Sequence, residues 1–128
     1  MRSVEWLAGL LEGEGCFTTQ RYTSSPKTTP LLTLVMTDYD VVDEAKKLLE
    51  CIGGRSITIG RRVLKSGKTA YFIYLTGLPA AKNMMTILPF MGERRALKIR
   101  TILAAWTPKK YRAAVQFKTE LQGLQEVL

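Results

Sequence analysis

The spacing of apolar residues along the chain predicts an alternation of helices and hairpins. Apolar side chains recur three or four apart in residues 4–11, behind Ser3 as a helix cap, and again in residues 41–52, before the pair Gly53-Gly54. Both segments therefore predict helices. Strand-like segments flanked by turn residues follow each helix and form two pairs: 16–22 with 31–37, and 56–63 with 69–76.

Prolines and glycines delimit the elements in the second half of the chain. Pro79 suits the first turn of a third helix, and Pro89 ends it. Gly92 then opens a fourth helix that runs to about Trp106. The sequence thus predicts two helices after the second hairpin.

The order of these elements predicts one α+β domain over residues 1–128. Its αββαββα core occupies residues 3 to about 106, and residues 107–128 form a C-terminal helical extension. An antiparallel sheet built from two hairpins can bury one face under helices and leave the other open. We therefore expect a four-stranded antiparallel sheet with helices on one face.

Acidic residues are distributed unevenly in a chain that is strongly basic as a whole. The net charge is +8, and residues 15–37 and 51–92, which contain both predicted hairpins, hold no Asp or Glu. The basic residues in or beside those hairpins are Arg21, Lys27, Arg55, Arg61, Arg62, Lys65 and Lys68. A merely solvated sheet would mix both signs of charge. The open face is therefore expected to be basic and hydroxyl-rich and to contact a polyanion, for which nucleic acid fits better than a membrane surface.

The side chains available for catalysis are restricted. Histidine is absent, which excludes the commonest general base. Cys16 and Cys51 stand far apart in the sequence, and we expect buried small apolar side chains rather than a disulfide or a zinc site. Any catalysis must then use carboxylates, lysines, arginines or metal-bound water. Residues 1–3 lead directly into the first helix and no apolar run has membrane-spanning length, so we expect an intracellular protein without a targeting signal.

Residues 7–15 place two carboxylates, Glu12 and Glu14, among three glycines at the end of the first helix. Their sequence, Leu-Ala-Gly-Leu-Leu-Glu-Gly-Glu-Gly, resembles the nine-residue signature of the LAGLIDADG homing endonucleases, with Glu for Asp, Leu for Ile and Gly for Ala. The order of the predicted elements is similar to that family as well, over residues 3 to about 106. The resemblance implies a metal-dependent nuclease that cleaves both strands of a long double-stranded DNA site.

A single copy of the motif implies a homodimer in this family, and hence a palindromic or nearly palindromic DNA site. Because Gly9 and Gly13 lie four residues apart, two such helices can approach closely and bring their ends together. The residues implied at the interface are Leu7, Ala8, Gly9, Leu10, Glu12 and Gly13. Glu14, together with Gly13, is implied as the ligand of Mg²⁺ or Mn²⁺ between the two copies. Glu12 lies on another face of the helix, where we expect a structural or capping role.

Two further positions of the family's active site correspond to residues of this chain. In the family, the second strand ends at a polar residue near the metal-bound water, which implies Thr37 as a catalytic residue. Thr37 and Asp38 also form a good helix start, which is the alternative role for both. The family places a basic residue near the scissile phosphate after the third helix. Arg94 fits that position first, Arg95 second and Lys98 third.

The expected DNA contacts follow from strand alternation and from the basic turn of the second hairpin. Outward strand residues should contact bases, with Phe17 inward, and basic side chains near the turn should contact phosphates on any sequence. The residues expected to bind DNA are Thr18, Gln20, Tyr22, Lys27, Thr33, Ser56, Thr58, Arg61, Arg62, Lys65, Lys68, Thr69 and Tyr71.

Two other functions are compatible with these features. A non-cleaving member of the family, acting as an RNA maturase or a DNA-binding regulator, would keep the fold and the basic sheet without metal-dependent cleavage. The carboxylate at Glu14 favours the enzyme. A structural protein that used the glycine-rich helix only for dimerisation would leave the acid-free hairpins unexplained, and we rank it last.

Overall fold

A computed structural model describes residues 2–21 and 28–106 of the chain. In these residues the helices are α1 (Val4–Glu14), α2 (Tyr39–Gly53), α3 (Gly77–Ile87) and α4 (Glu93–Ala105), and a 3₁₀ turn, Leu88–Phe90, joins the last two. The strands are β1 (Gly15–Arg21), β2 (Thr28–Met36), β3 (Gly60–Val63) and β4 (Thr69–Thr76). The predicted α+β class and αββαββα order are confirmed. The predicted helical extension, 107–128, lies outside the described residues.

The four strands form one antiparallel sheet in the order β1-β2-β4-β3. Phe17 pairs with Leu32, which in turn pairs with Leu75. Because paired residues of an antiparallel sheet share a face, these three side chains point to the same side, where all three are buried. The opposite side carries the exposed side chains of Val35 and Tyr74, and we call it the outer face.

The hydrophobic core lies between the sheet and the helices. Every helix and the two central strands contribute large, fully buried side chains, among them Leu7, Leu11, Leu32, Leu34, Leu49, Ile73, Met84, Ile87, Ile99 and Leu103. One polar side chain, Asn83 of α3, is also fully buried, and its amide nitrogen donates hydrogen bonds to the carbonyl oxygens of Leu49 and Pro79 at 3.1 and 2.9 Å. Asn83 therefore fastens α3 to the end of α2.

Gly15 joins α1 to β1 without a connecting loop. Its backbone is extended, with φ −78° and ψ 158°, while its N–H still donates to the carbonyl oxygen of Leu11 in the last helical turn. A Cβ on Gly15 would lie 2.8 Å from that oxygen and 2.9 Å from Cδ2 of Leu11. The strand thus packs against the turn from which it emerges, and only glycine allows so close an approach.

The third strand is shorter than the predicted segment 56–63. Ile57 is buried, and its backbone N–H donates a 2.7 Å hydrogen bond to the carboxylate of Glu50 on α2. The start of the segment is therefore held by α2 instead of pairing with β4. Ser56 and Thr58, predicted as outward strand residues, are exposed but lie outside the sheet.

Several other element ends agree with the sequence-based expectations, but β2 begins at Thr28, three residues before the predicted start at Leu31. Residues 69–76 form β4 as predicted, α2 ends at Gly53 and is capped by Gly54 in the left-handed conformation with φ 72°, and α4 begins after Gly92. Gly67, with φ 88°, forms the turn of the second hairpin. No helix in residues 2–21 and 28–106 is long and apolar enough to cross a membrane.

The cysteines differ from expectation. Cys16 and Cys51 are both free, and both are exposed rather than buried. Cys16 alternates with the buried Phe17 on β1 and so lies on the outer face of the sheet.

Candidate active site and nucleic-acid interface

Glu14 is the last residue of α1, and its side chain is exposed. No side chain or backbone group in the described part of the chain forms a hydrogen bond or ion pair with it. The last turn of α1 holds no basic residue. A carboxylate is unfavourable at this position, because the carbonyl groups that end a helix carry partial negative charge. The end of α1 is therefore suited to bind a cation.

Glu12 faces α4 rather than the end of its own helix. Its carboxylate accepts a 3.4 Å hydrogen bond from the backbone N–H of Gly92 and lies 3.9 Å from Nε of Arg95. Gly92 directly precedes α4, where unpaired N–H groups and the helix dipole favour a negative charge. Glu12 thus contributes to capping α4, which is the kind of structural role expected for it. Its contact with a second copy stays a prediction.

The three basic residues of α4 that are candidates for a phosphate contact differ in how accessible their side chains are. The guanidinium of Arg95 donates a 2.7 Å hydrogen bond from Nη1 to the carbonyl oxygen of Gly15. Arg94 and Lys98 are exposed and, with Arg95 and Gly15, are among the residues that line a cleft of about 550 Å³ beside β1. The side chains of Arg94 and Lys98 are therefore accessible to a phosphate, whereas that of Arg95 is hydrogen-bonded within the chain.

Thr37 lies at the same end of the sheet as Glu14. β1 begins at Gly15, which pairs with Leu34, and β2 ends two residues later at Met36. Thr37 is exposed, and α2 begins behind Asp38, whose side chain makes no capping hydrogen bond. The predicted helix start is confirmed without a side-chain cap. The catalytic role of Thr37 stays a prediction.

The residues predicted at a dimer interface divide between two faces of α1. Leu7 and Ala8 are only 0% and 1% exposed and belong to the hydrophobic core. Their assignment to an interface is wrong, because α1 packs on its own sheet with this face. Gly9 and Gly13 are exposed, and no atom of the described part of the chain lies within 4 Å of a Cβ built on either. Leu10 is half-buried beside them.

The outer face of the sheet is rich in hydroxyl and apolar groups. The strand register assigns it Cys16, Thr18, Gln20, Thr29, Leu31, Thr33, Val35, Gly60, Arg62, Ala70, Phe72, Tyr74 and Thr76. It contains no acid in the described strands, as predicted, but Arg62 is its one cation there. Two exposed lysines, Lys65 and Lys68, flank the face in the turn between β3 and β4, whereas Arg55 lies beside Lys47 and Cys51 at the end of α2. The expected basic surface is thus neutral at its centre and positive at its margin.

Thr69 and Tyr71 point away from the outer face. Tyr71 pairs with Met36, packs against the core, and meets the ring of Tyr39 edge to face at a centroid distance of 5.0 Å. Their predicted outward orientation is therefore wrong by one residue. Arg61 pairs with Tyr71 and lies on the same, helix-facing side of the sheet.

Sequence reasoning missed Val35, Phe72, Tyr74 and Thr76, which occupy the outer face instead. Val35 and Tyr74 are 43% and 50% exposed. A Cβ on Gly60 would overlap the ring of Phe72, so glycine at that position leaves room for the ring across β3. This glycine, at the start of a strand opposite an aromatic residue, was the available signal.

Four other strand residues predicted to contact DNA lie on the outer face of the sheet, as expected. Thr18, Gln20, Thr33 and Arg62 all belong to the outer face by register. Tyr22 and Lys27 lie outside the described residues. Contact of any of these residues with DNA stays a prediction.

Two solved structures share this architecture. One is the homing endonuclease I-CvuI in complex with the I-CreI target in the presence of 2 mM Mg, with the DNA not cleaved. Its TM-score is 0.58 at 20% identity, with 77% of this chain and 62% of I-CvuI covered. The other, the LAGLIDADG homing endonuclease I-GzeII in complex with its DNA target, has a TM-score of 0.57 at 13% identity, with 94% and 43% covered. The chain has the LAGLIDADG endonuclease fold.

The region matched by this chain spans 62% of the length of I-CvuI and 43% of the length of I-GzeII. No protein-family model and no curated protein matches the sequence of this chain. Within the LAGLIDADG fold of this chain, the signature-like residues 7–15 form all of α1 after its first three residues, together with the first residue of β1. Its two carboxylates consequently lie where the helix meets the sheet.

Proposed function

We propose that this chain is a LAGLIDADG homing endonuclease that acts as a homodimer and cleaves both strands of a palindromic or nearly palindromic DNA site with the aid of divalent metal ions. The observation that carries the proposal is the open face of α1. Gly9 and Gly13 lie there with no described atom within 4 Å of a Cβ built on either, beside Glu14, whose side chain has no partner in residues 2–21 and 28–106. Each glycine costs about 1 kcal/mol of helix stability relative to alanine, and no contact with the described residues compensates for that cost. A second copy packed on this face accounts for both.

Small residues on one helix face let two helices cross with their backbones close together. Two copies of α1 crossing at Gly9 and Gly13 would bring their C-terminal ends side by side. The two Glu14 carboxylates would then lie near the dimer axis, where like charges repel unless cations separate them.

The donor atoms at this end fit a hard divalent cation once two copies meet. Within one chain, residues 2–21 and 28–106 contain no cluster of three or more His, Cys, Asp or Glu side chains able to hold a metal. A pair of Glu14 carboxylates with the backbone carbonyl oxygens around Gly13 supplies the all-oxygen ligands that Mg²⁺ and Mn²⁺ prefer. A cation held there would polarise the phosphate and make a bound water more acidic, so no histidine is required.

The residues around Glu14 have distinct roles in the proposed reaction. Arg94 and Lys98 are exposed beside the start of β1 and would bind the phosphate group. Thr37, at the same end of the sheet, would hold the attacking water by a hydrogen bond. Glu12 is committed to the start of α4 and takes no direct part.

The outer face would bind the DNA duplex, with its margin contacting phosphates and its centre contacting bases. Arg62, Lys65 and Lys68 are exposed and would neutralise phosphates, which gives affinity without sequence preference. The neutral centre carries hydroxyl and amide groups, such as those of Thr33 and Gln20, that can hydrogen-bond to base edges in the major groove. The charge distribution thus suits sequence-specific binding better than a uniformly basic face would.

A cleavage selection from a randomised double-stranded DNA library in Mg²⁺ tests the proposal. We expect the wild type to yield cut sites with two-fold symmetry. Glu14→Gln should bind a selected site normally but cut it about 100-fold more slowly or worse, since it loses the charge that holds the cations. Glu5→Gln, an exposed change in the first turn of α1, is the matched control and should cut normally.

Other outcomes of the selection would point elsewhere. A wild type that binds one site tightly without cutting it would be a DNA-binding regulator, and one that binds only structured RNA would be a maturase. Normal cutting by Glu14→Gln would remove Glu14 from the site.

A further inference from the structure

Arg95 connects the two chain segments that flank Glu14. Nη1 of its guanidinium donates to the carbonyl oxygen of Gly15, the residue after Glu14, at 2.7 Å. Its Nε lies 3.9 Å from the carboxylate of Glu12, two residues before Glu14. The guanidinium also lies over the ring of Phe17, 5.8 Å from its centre. One side chain therefore contacts the end of α1, the helix-to-strand junction and the first buried side chain of β1.

We propose that Arg95 is a positioning residue that fixes the direction of the Glu14 carboxylate by holding the junction between α1 and β1. This inference rests on the proposed metal-binding role of Glu14. It departs from the sequence-based expectation, in which Arg95 was an alternative phosphate contact.

Arg95 restrains the carbonyl side of the junction, whereas Leu11 restrains its N–H side. The N–H of Gly15 is held by Leu11, but its carbonyl oxygen belongs to the next peptide group, and Arg95 is its one side-chain donor among the described residues. Gly13, directly before Glu14, adds backbone freedom. Without Arg95, the last turn of α1 would open more often and Glu14 would sample more directions, which weakens cation binding at a site shared by two copies.

The contacts of Arg95 require the planar guanidinium. Its fork can donate to Gly15, approach Glu12 and cover the Phe17 ring at the same time, whereas a lysine ammonium is a single point charge. Arg95 is also largely enclosed, with 23% of its side chain exposed. Arg94 and Lys98, by contrast, are exposed and remain available to the phosphate.

Arg95→Lys keeps the charge and removes the fork, so it is the test variant. Arg100→Lys, the same change farther along α4, is the matched control. The first measurement is hydrogen exchange of the Gly15 and Cys16 amides without DNA or metal. We expect Arg95→Lys to speed this exchange about tenfold, with the control and the thermal midpoint little changed, since the loss is local. Unchanged exchange at both amides would overturn the proposal.

The second measurement is Mn²⁺ binding to the protein bound to a selected DNA site, followed by electron paramagnetic resonance. We expect Arg95→Lys to weaken Mn²⁺ binding about tenfold while DNA affinity without metal stays within about twofold. Equal Mn²⁺ affinity for Arg95→Lys and wild type would contradict positioning by Arg95.

Glu14→Gln separates the two proposals. If it cuts DNA normally, the proposed role of Glu14 fails, whatever Arg95 does. If Glu14→Gln abolishes cutting but Arg95→Lys leaves amide exchange and Mn²⁺ affinity unchanged, only the positioning proposal fails.

Discussion

Gly13 and Gly15 lie two residues apart, yet among the described residues only the packing around Gly15 requires a glycine. A Cβ on Gly15 would lie 2.8 Å from the carbonyl oxygen of Leu11, whereas no atom of residues 2–21 and 28–106 lies within 4 Å of one on Gly13. The same empty space surrounds Gly9. The glycines of this short segment therefore divide into one that serves the fold and two that the proposed dimer explains.

Gly13→Ala should affect the isolated chain and the dimer in opposite directions. Alanine favours the helix by about 1 kcal/mol, so a monomer would gain stability, but its methyl group would separate the crossing helices and weaken the dimer. Sedimentation measures the dimer constant, and urea unfolding at low concentration measures monomer stability. Gly15→Ala, the control, should destabilise the monomer. A wild type that sediments as a monomer at all concentrations would contradict the dimer.

Lys65→Ala should reduce DNA affinity equally on all sequences. Each phosphate neutralised by a lysine releases condensed counterions, so losing one contact should lower the salt slope of binding by about one per protomer. Fluorescence anisotropy over a range of salt concentrations gives that slope. Lys47→Ala on α2, where Lys47 pairs with Asp43 and Glu44, should leave it unchanged. An unchanged slope for Lys65→Ala would exclude Lys65 from the interface.

Gln20→Ala should relax base preference at one symmetric pair of positions. Gln20 lies on the outer face, where its amide can hydrogen-bond to a base edge, and it carries no charge, so the salt slope should stay as in wild type. Binding-site selection with the variant measures the preference. Thr19→Ala, an exposed change on the other face of β1, is the control. Loss of preference in both variants would exclude a specific contact by Gln20.

The sequence predicted the helices well because their signals are local. Apolar spacing in residues 41–52 and the left-handed Gly54 are enough to define α2, whatever packs on it. The end of α1 near Gly15 was also predictable from the sequence, since a glycine follows the last turn of the helix. The acid-free hairpins correctly indicated an outer face without acids.

The errors came from contacts between residues far apart in sequence. Residues 56–59 have strand-like composition, but the backbone N–H of Ile57 donates to the carboxylate of Glu50, and the segment does not pair with the sheet. Leu7 and Ala8 belong to the motif, yet their burial depends on which side of α1 meets the sheet. In β4 apolar residues occupy both faces, so alternation could not set the register. The extent of β3, the buried side of α1 and the register of β4 are all determined by tertiary packing.

The two tyrosines of β4 give a direct test of that register, because they lie three residues apart on opposite faces. Tyr74 is 50% exposed on the outer face, whereas Tyr71 packs on the core and against Tyr39. Tyr71→Ala should lower the free energy of unfolding by about 2 kcal/mol, since it removes buried ring contacts, and should leave base preference unchanged. Tyr74→Ala should alter base preference while stability stays within about 0.5 kcal/mol of wild type.

Urea unfolding and binding-site selection on both variants measure the two effects. Tyr74→Phe separates the phenol hydroxyl from the ring: retained preference would show that the ring makes an apolar contact, such as one with a thymine methyl group. If Tyr71→Ala instead changed base preference at normal stability, the strand would present the face that alternation first indicated. The proposed division between a neutral, base-reading centre and a positive margin would then be wrong for β4, since Tyr74 and Phe72 would be core residues.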